Sequence, residues 1–193
     1  LYHLGDPEAL SWLEETLVRL IRENGIDVYR QDFNVASLPY WRENDTPGRK
    51  GIHEIKHIMG MYHLWDTLLE EFPHLFIDNC SGGGRRLDLE TMSRAVSLWR
   101  SDTGCFPETA ERRVTVYSQN QILALSEYLP FHSCATWDTD AYAIRSTATQ
   151  GLACNFAIFD PAFDFETVAR VMDEVAELRG YWNGDFYPLT VPT

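Results

Sequence analysis

Long apolar runs are missing from this 193-residue chain. Nothing approaches the ~18 consecutive apolar residues of a membrane-spanning helix, so no membrane partner is expected. Paired cysteine spacing is missing too. The four cysteines, at 80, 105, 134 and 154, form no CxxC. That argues against a zinc knot or a disulfide scaffold and leaves them as buried or site-lining thiols. Basic residues are scarce: 16 Lys and Arg stand against 29 Asp and Glu, for a net charge of −13. A chain of that sign repels phosphate backbones and anionic lipid, which argues against nucleic acid as a partner. No internal repeat, low-complexity linker or signal peptide is visible. The opening LYHLGDPEAL reads as mid-domain, so localisation stays open.

What is abundant is aromatic: 13% of residues, with six Trp and nine Tyr. Such side chains suit flat ligands, carbohydrates among them, although core packing uses the same residues. Hydrophobic content of 45% and charged content of 23% are those of an ordinary globular domain with a real core.

The chain alternates two kinds of segment. Asp6 as N-cap, Pro7 at the first helical position and Gly25 as the stop frame a first helix. IDVYRQDF follows as a strand, then a helix from about Gly51 to Phe72. LFIDNCS, SLWRSD, LPFHSC and CNFAIFD are further strands. Helices are expected at RRLDLETMSRAV, Val114 to Tyr128, Asp140 to Gly151 and FETVARVMDEVAELRG. Strands alternating with amphipathic helices mean an α/β fold with a parallel sheet. Polar residues gather at the expected strand ends: Arg30, Gln31 and Asp32; Asp78, Asn79 and Cys80; Arg100 and Asp102; His132 and Cys134; Asp160. Such a rim suits a (β/α)8 TIM barrel better than an open sheet, which binds at one switch point. Five strands are countable, with LYHL as the tail of a sixth, whereas a full barrel has eight strands and about 250 residues. The expectation is a partial barrel of five to six βα units, residues 1–193 forming one catalytic domain truncated at both ends. Its open edges, CNFAIFD and the strand ending LYHL, would favour homo-oligomerisation, and the piece alone would be inactive.

HEIKHIMGMYH, residues 53 to 63, matches the zinc-peptidase pattern H-E-x-x-H-x-x-G-x-x-H. That chemistry needs a sharp turn at Gly60. Ile52, Ile55, Ile58, Met61, Trp65, Leu68, Leu69 and Phe72 instead keep one helical phase through it. On a continuous helix His63 lies about 15 Å along the axis from His53, too far to share a metal. The peptidase reading is disfavoured, and His53, His57 and His63 are expected on a helix surface, outside the barrel. SGGG, residues 81 to 84, lacks the partners of a nucleotide loop. It suits close approach of the backbone to a ligand.

Asp32 and Asp102 are the sharpest pair. Each ends an expected strand, and two carboxylates flanking a scissile bond are what glycoside hydrolysis requires. The alternative for either residue is a cap on the following helix.

DVYRQDFN and IDNCSGGGRRLDLETMSRAVSLWRSD together resemble the paired signatures of the family 36 α-galactosidases, in the melibiase clan. The resemblance implies a retaining glycosidase acting on terminal α-D-galactosides, with Asp32 as nucleophile and Asp102 as acid/base. It implies substrate binding by Arg30, Asn34, Cys80, Gly83 and Trp99, and no metal or cofactor. Three positions depart from the family: Arg30 stands for lysine, Gln31 for tryptophan, and Arg85 for the fourth glycine of the run. These keep an α-N-acetylgalactosaminidase-like specificity open. The family's pair of galactose-holding aspartates on an earlier strand has no match here, which keeps a non-catalytic sugar-binding fragment open as well.

Overall fold

The computed structural model of the chain describes residues 2–129, 131–149 and 151–189. It divides into two compact units, Leu1–Val96 and Ser97–Thr193. Several expected features run onto residues outside the described set: Leu1 of LYHL, Pro130 of LPFHSC, Gln150 near the end of the drawn helix, and Thr190.

In the first unit, α1 (Pro7–Asn24) begins where the Asp6 carboxylate accepts hydrogen bonds from the Glu8 and Ala9 amides. It ends at Gly25, which adopts φ 60°. β1 (Val28–Gln31) pairs in parallel with β2 (Phe76–Asn79), with Arg30 opposite Asp78. Between them lie α2 (Leu38–Asn44) and α3 (Ile52–Glu71). The strand–helix–strand crossover is thus the unit expected of a parallel sheet. Its core joins Leu4, Ile21, Met61, Leu64, Trp65, Leu68 and Ile77.

α3 runs unbroken through Gly60. The glycine is there for packing: a Cβ at Gly60 would sit 2.0 Å from the Leu4 carbonyl oxygen and 2.6 Å from its carbon. Gly60→Ala should therefore destabilise the protein by about 1–3 kcal/mol, because backbone must shift. A urea midpoint unchanged from wild type would contradict this.

In the second unit, a 3-10 turn (Asp102–Cys105) precedes α5 (Val114–Leu125); α4 (Leu89–Met92) closes the first unit. β3 (Ser133–Thr136) and β4 (Gly151–Cys154) pair in parallel across α6 (Ala141–Thr147), and α7 (Phe165–Leu178) packs on α6. Ile144, Val171 and Val175 form its apolar centre.

Several expectations are corrected. SLWRSD is no strand: its contribution is one bridge, Trp99 to Ser133. Here Arg100 Nε donates back to the Ser97 carbonyl (2.9 Å), and such local bonds compete with a ladder. RRLDLETMSRAV yields only the one-turn α4, because Thr91 Oγ1 returns to Asp88 and to the Arg86 carbonyl. β3 begins at Ser133, so His132 precedes the strand and does not end it. β4 begins at Gly151, where a Cβ would meet Ser133 Cβ at 2.7 Å, and it stops at Cys154. Past Cys154, CNFAIFD is irregular chain leading into a turn, with Phe159 94% exposed, and Asp160 lies at the end of that turn. Tyr2–Leu4 form no strand. Among the described residues no helix is long and apolar enough to cross a membrane.

Candidate functional site

Asp32 stands one residue past β1. Its carboxylate accepts from the Phe33 amide at 2.7 Å and lies 3.8 Å from Arg30 Nη2. Burial works against its charge. Hydrogen bonds from the Asn34 side chain, the Phe33 amide and the Cys80 thiol, with the Arg30 charge, overcome it and hold the carboxyl below its usual value. Arg30 is shared, since its other terminal nitrogen bonds the buried carboxylate of Asp78.

The glycine run is tied to the residues that follow this carboxylate. Asn34 Oδ1 accepts from the Gly82 amide at 2.8 Å, and Ser81 Oγ donates to the Phe33 carbonyl at 3.0 Å. Gly82 and Gly83 adopt φ 50° and 73°, which only glycine takes without strain. Gly83 is buried, and its carbonyl faces the buried Cys80 thiol at 3.9 Å. Thus Arg30, Asp32, Asn34, Cys80 and Gly83, expected to share a site, converge in the first unit.

Sequence reasoning missed one member of this cluster. Arg86 donates to the Cys80 and Gln31 carbonyls, and its guanidinium lies 5.8 Å from the Trp65 ring. It ties the ends of β1 and β2 together. The resemblance puts Arg86 on the family's arginine after the glycines but gives it no role, and nothing local separates a half-buried Arg86 from an exposed Arg85. Gln31, which stands in the tryptophan position, accepts from Trp65 Nε1 at 2.6 Å and from the Tyr29 hydroxyl at 3.3 Å. Its amide is committed to packing.

In the second unit, Trp99 and Asp102 come together: Trp99 Nε1 donates to Asp102 Oδ1 at 3.1 Å, and Cys105 Sγ lies 3.8 Å from the same oxygen. Gly104 admits this arrangement, since a Cβ there would meet Ala135 Cβ at 2.9 Å and the Trp99 ring at 3.3 Å. Asp102 therefore opens a 3-10 turn and does not end a strand.

His132 and Cys134, expected on the rim, are buried in the second unit. His132 shares a 2.6 Å hydrogen bond with Ser126 Oγ, and burial, with Arg100 nearby, lowers its pKa to about 4. Cys134 is pushed up to about 11 by burial, against Ser118 and Arg100. The sign for His132 follows. The unfolded chain protonates near the ordinary 6.5, the folded one near 4. Stability present above pH 6.5 is thus lost as pH falls towards 4, by about 1.4 kcal/mol per pKa unit of separation. His132→Gln, which keeps a polar partner for Ser126, should flatten the fall in urea midpoint between pH 7 and 4. An unaltered slope would assign the acid sensitivity elsewhere.

The histidines of HEIKHIMGMYH do lie on one continuous helix, but not all on its surface. His63 is exposed and 3.3 Å from Glu14. His57 is half-buried, accepts from the Leu4 amide at 3.2 Å, and packs 5.0 Å from the Trp41 ring and 5.6 Å from that of Phe33. Burial, with His3 and Arg86, lowers it to about 4. His53 sits 3.3 Å from His3 Nε2. No group of three or more His, Cys, Asp or Glu side chains is arranged to hold a metal among the described residues.

Residues 1–175 match the family model described as Melibiase. Alpha-galactosidase C of Emericella nidulans is 30% identical over 191 residues, covering 89% of this chain and 24% of that protein. An alpha-galactosidase of Escherichia coli is 31% identical over 100 residues, covering 52% of this chain and 13% of its own length. Among solved structures, a variant of the family 36 α-galactosidase AgaA of Geobacillus stearothermophilus in complex with 1-deoxygalactonojirimycin has a TM-score of 0.74 at 16% identity. The match covers 98% of this chain and 27% of that one. Another AgaA variant, in complex with raffinose, has a TM-score of 0.70 at 15% identity, with the same shares covered. The chain thus spans about a quarter of the structures it matches, and shares their α/β fold over that quarter.

Proposed function

This chain belongs to the melibiase family, and from that premise we propose that it forms part of a retaining glycosidase that removes terminal α-D-galactose from oligosaccharides. Its place in that enzyme is a part of a catalytic (β/α)8 barrel. The observation that carries the reading is the state of Asp32: a carboxylate at a strand end, kept ionised by Asn34, Phe33, Cys80 and Arg30 together. A nucleophile has to be anionic when substrate arrives, and this environment secures that.

Asp32 attacks the anomeric carbon from the β face as the glycosidic bond breaks, and protonated Asp102 gives its proton to the departing oxygen. The β-linked glycosyl ester is then opened by water, whose proton returns to Asp102, so that α-galactose is released. Arg30, Asn34, Cys80, Gly83 and Trp99 are the residues proposed to line the sugar site. Oligosaccharides are the favoured substrates because a related structure holds raffinose.

The test is the anomer first formed. The full-length protein, mixed with an aryl α-galactoside and followed by proton NMR, should release α-galactose before mutarotation. β-Galactose as first product would overturn the retaining mechanism. Binding of galactose without turnover would favour the non-catalytic reading.

A further inference from the structure

We infer that Arg85 makes the Asp32 site selective for galactosides that carry an anionic group, a carboxylate, sulfate or phosphate, close to the scissile bond. The inference rests on the proposed galactosidase reading and adds to it a substrate class.

Arg85 is placed by the glycine loop. Its guanidinium lies across Gly82, with Nε 3.2 Å, Cζ 3.3 Å and Nη2 3.6 Å from where a Cβ would be. The Gly82 amide in turn binds Asn34 Oδ1, and Asn34 hydrogen-bonds Asp32. The cation is therefore docked on the loop that holds the proposed nucleophile.

The three arginines here are differently employed. Arg30 is engaged by Asp78 and Asp32, and Arg86 is bonded to the Cys80 and Gln31 carbonyls. Arg85 is exposed, and has no hydrogen bond or ion pair among the described residues. Its five N–H donors are left for a ligand. Asp78 and Asp32 act on Arg30, and Asp32 and Asp88 on Arg86, which leaves Arg85 as the uncommitted guanidinium of the three. An exposed cation of that kind attracts anions and repels cations.

The chemistry sharpens the point. Glycoside cleavage passes through an oxocarbenium-like transition state, in which positive charge develops on the sugar. A spare cation beside that sugar opposes the charge when the substrate is neutral. A substrate anion seated on Arg85 neutralises it, while a bidentate guanidinium contact fixes the leaving group. Glycine occupies this position in the family pattern that the sequence otherwise resembles, so the arginine is a departure with a direction.

The experiment uses the full-length protein with two aryl α-galactosides, 4-nitrophenyl and 2-carboxy-4-nitrophenyl, and the variant Arg85→Gln. The ratio of kcat/KM for the anionic over the neutral substrate should fall roughly tenfold in the variant, as expected for loss of a charge-assisted hydrogen bond. The wild-type ratio should also fall between 50 and 500 mM salt, because an exposed charge pair is screened. A ratio unchanged within twofold by the substitution would overturn the inference. Calorimetric binding of the same two compounds gives a reading independent of turnover. Preference for the anionic galactoside that disappears in Arg85→Gln, without hydrolysis of either, would sustain the inference and reject the hydrolase instead. Equal binding of both compounds by wild type and variant would reject the inference even in an active enzyme.

Discussion

Asp32→Gly in the full-length protein should lower turnover of an aryl α-galactoside by about a thousandfold or more, because no covalent intermediate can form. Azide should then restore part of the activity. It enters the space vacated by the carboxylate, attacks from the β face and yields β-galactosyl azide. The rescue matters because Asp32 also organises its surroundings: Asn34, the Phe33 amide, Cys80 and Arg30 all address its carboxylate. Loss of folding alone would abolish activity and leave nothing for azide to rescue. The same environment bears on pH. With the carboxyl held below its usual value, Asp32 gives no acid limb of kcat/KM above the ordinary carboxylate range, and a limb found there would belong to another group. A variant that keeps more than a tenth of wild-type turnover, with no azide product, would remove Asp32 from the nucleophile's role.

The parts of the fold that could be read from sequence are those set by nearby residues. Asp6, Pro7 and Gly25 each act within a turn of α1, and all three sit as expected. The continuity of α3 through Gly60 was legible from apolar phase over five turns, whereas the reason for the glycine, a close approach by the Leu4 backbone, depends on a segment more than fifty residues away. Strand limits failed for the same cause. SLWRSD and CNFAIFD have the composition of buried strands, but a strand needs a partner along its length, and Arg100 and Phe159 turn instead to a local carbonyl and to solvent.

The site divides along the same line. Asp32, Asn34 and the glycines were legible because their order along the chain carries the chemistry. His132 was placed on the rim only because its strand was drawn too early. Arg86 was invisible as a brace, since one arginine in an RR pair looks like the other. What separates them is that Arg86 reaches the Gln31 and Cys80 carbonyls.

The effect of Asp102→Ala should depend on the leaving group, and this is its signature. Trp99 Nε1 and Cys105 Sγ both address Asp102 Oδ1. Oδ2 accepts no hydrogen bond among the described residues, which makes it the oxygen able to carry a proton towards substrate. A sugar alkoxide is a poor leaving group and needs that proton in the transition state, whereas a nitrophenolate leaves without it. General acid assistance is worth roughly 10²–10⁴-fold. Asp102→Ala should therefore cut kcat/KM on an unactivated α-galactosyl disaccharide by about a thousandfold, and on a 4-nitrophenyl galactoside far less. The second step loses its base as well, so glycosyl-enzyme should accumulate on the aryl substrate, seen as a burst of nitrophenol and as a mass increase of one hexosyl unit on the protein. Azide needs no base, and here it meets an intact β-linked ester. It should speed turnover and give the α-azide, the opposite anomer from that made by Asp32→Gly. Trp99→Phe, which keeps the ring and removes only the Nε1 donor, should leave the leaving-group dependence small. Equal losses on both substrates in Asp102→Ala, with no burst, would assign the acid to another residue.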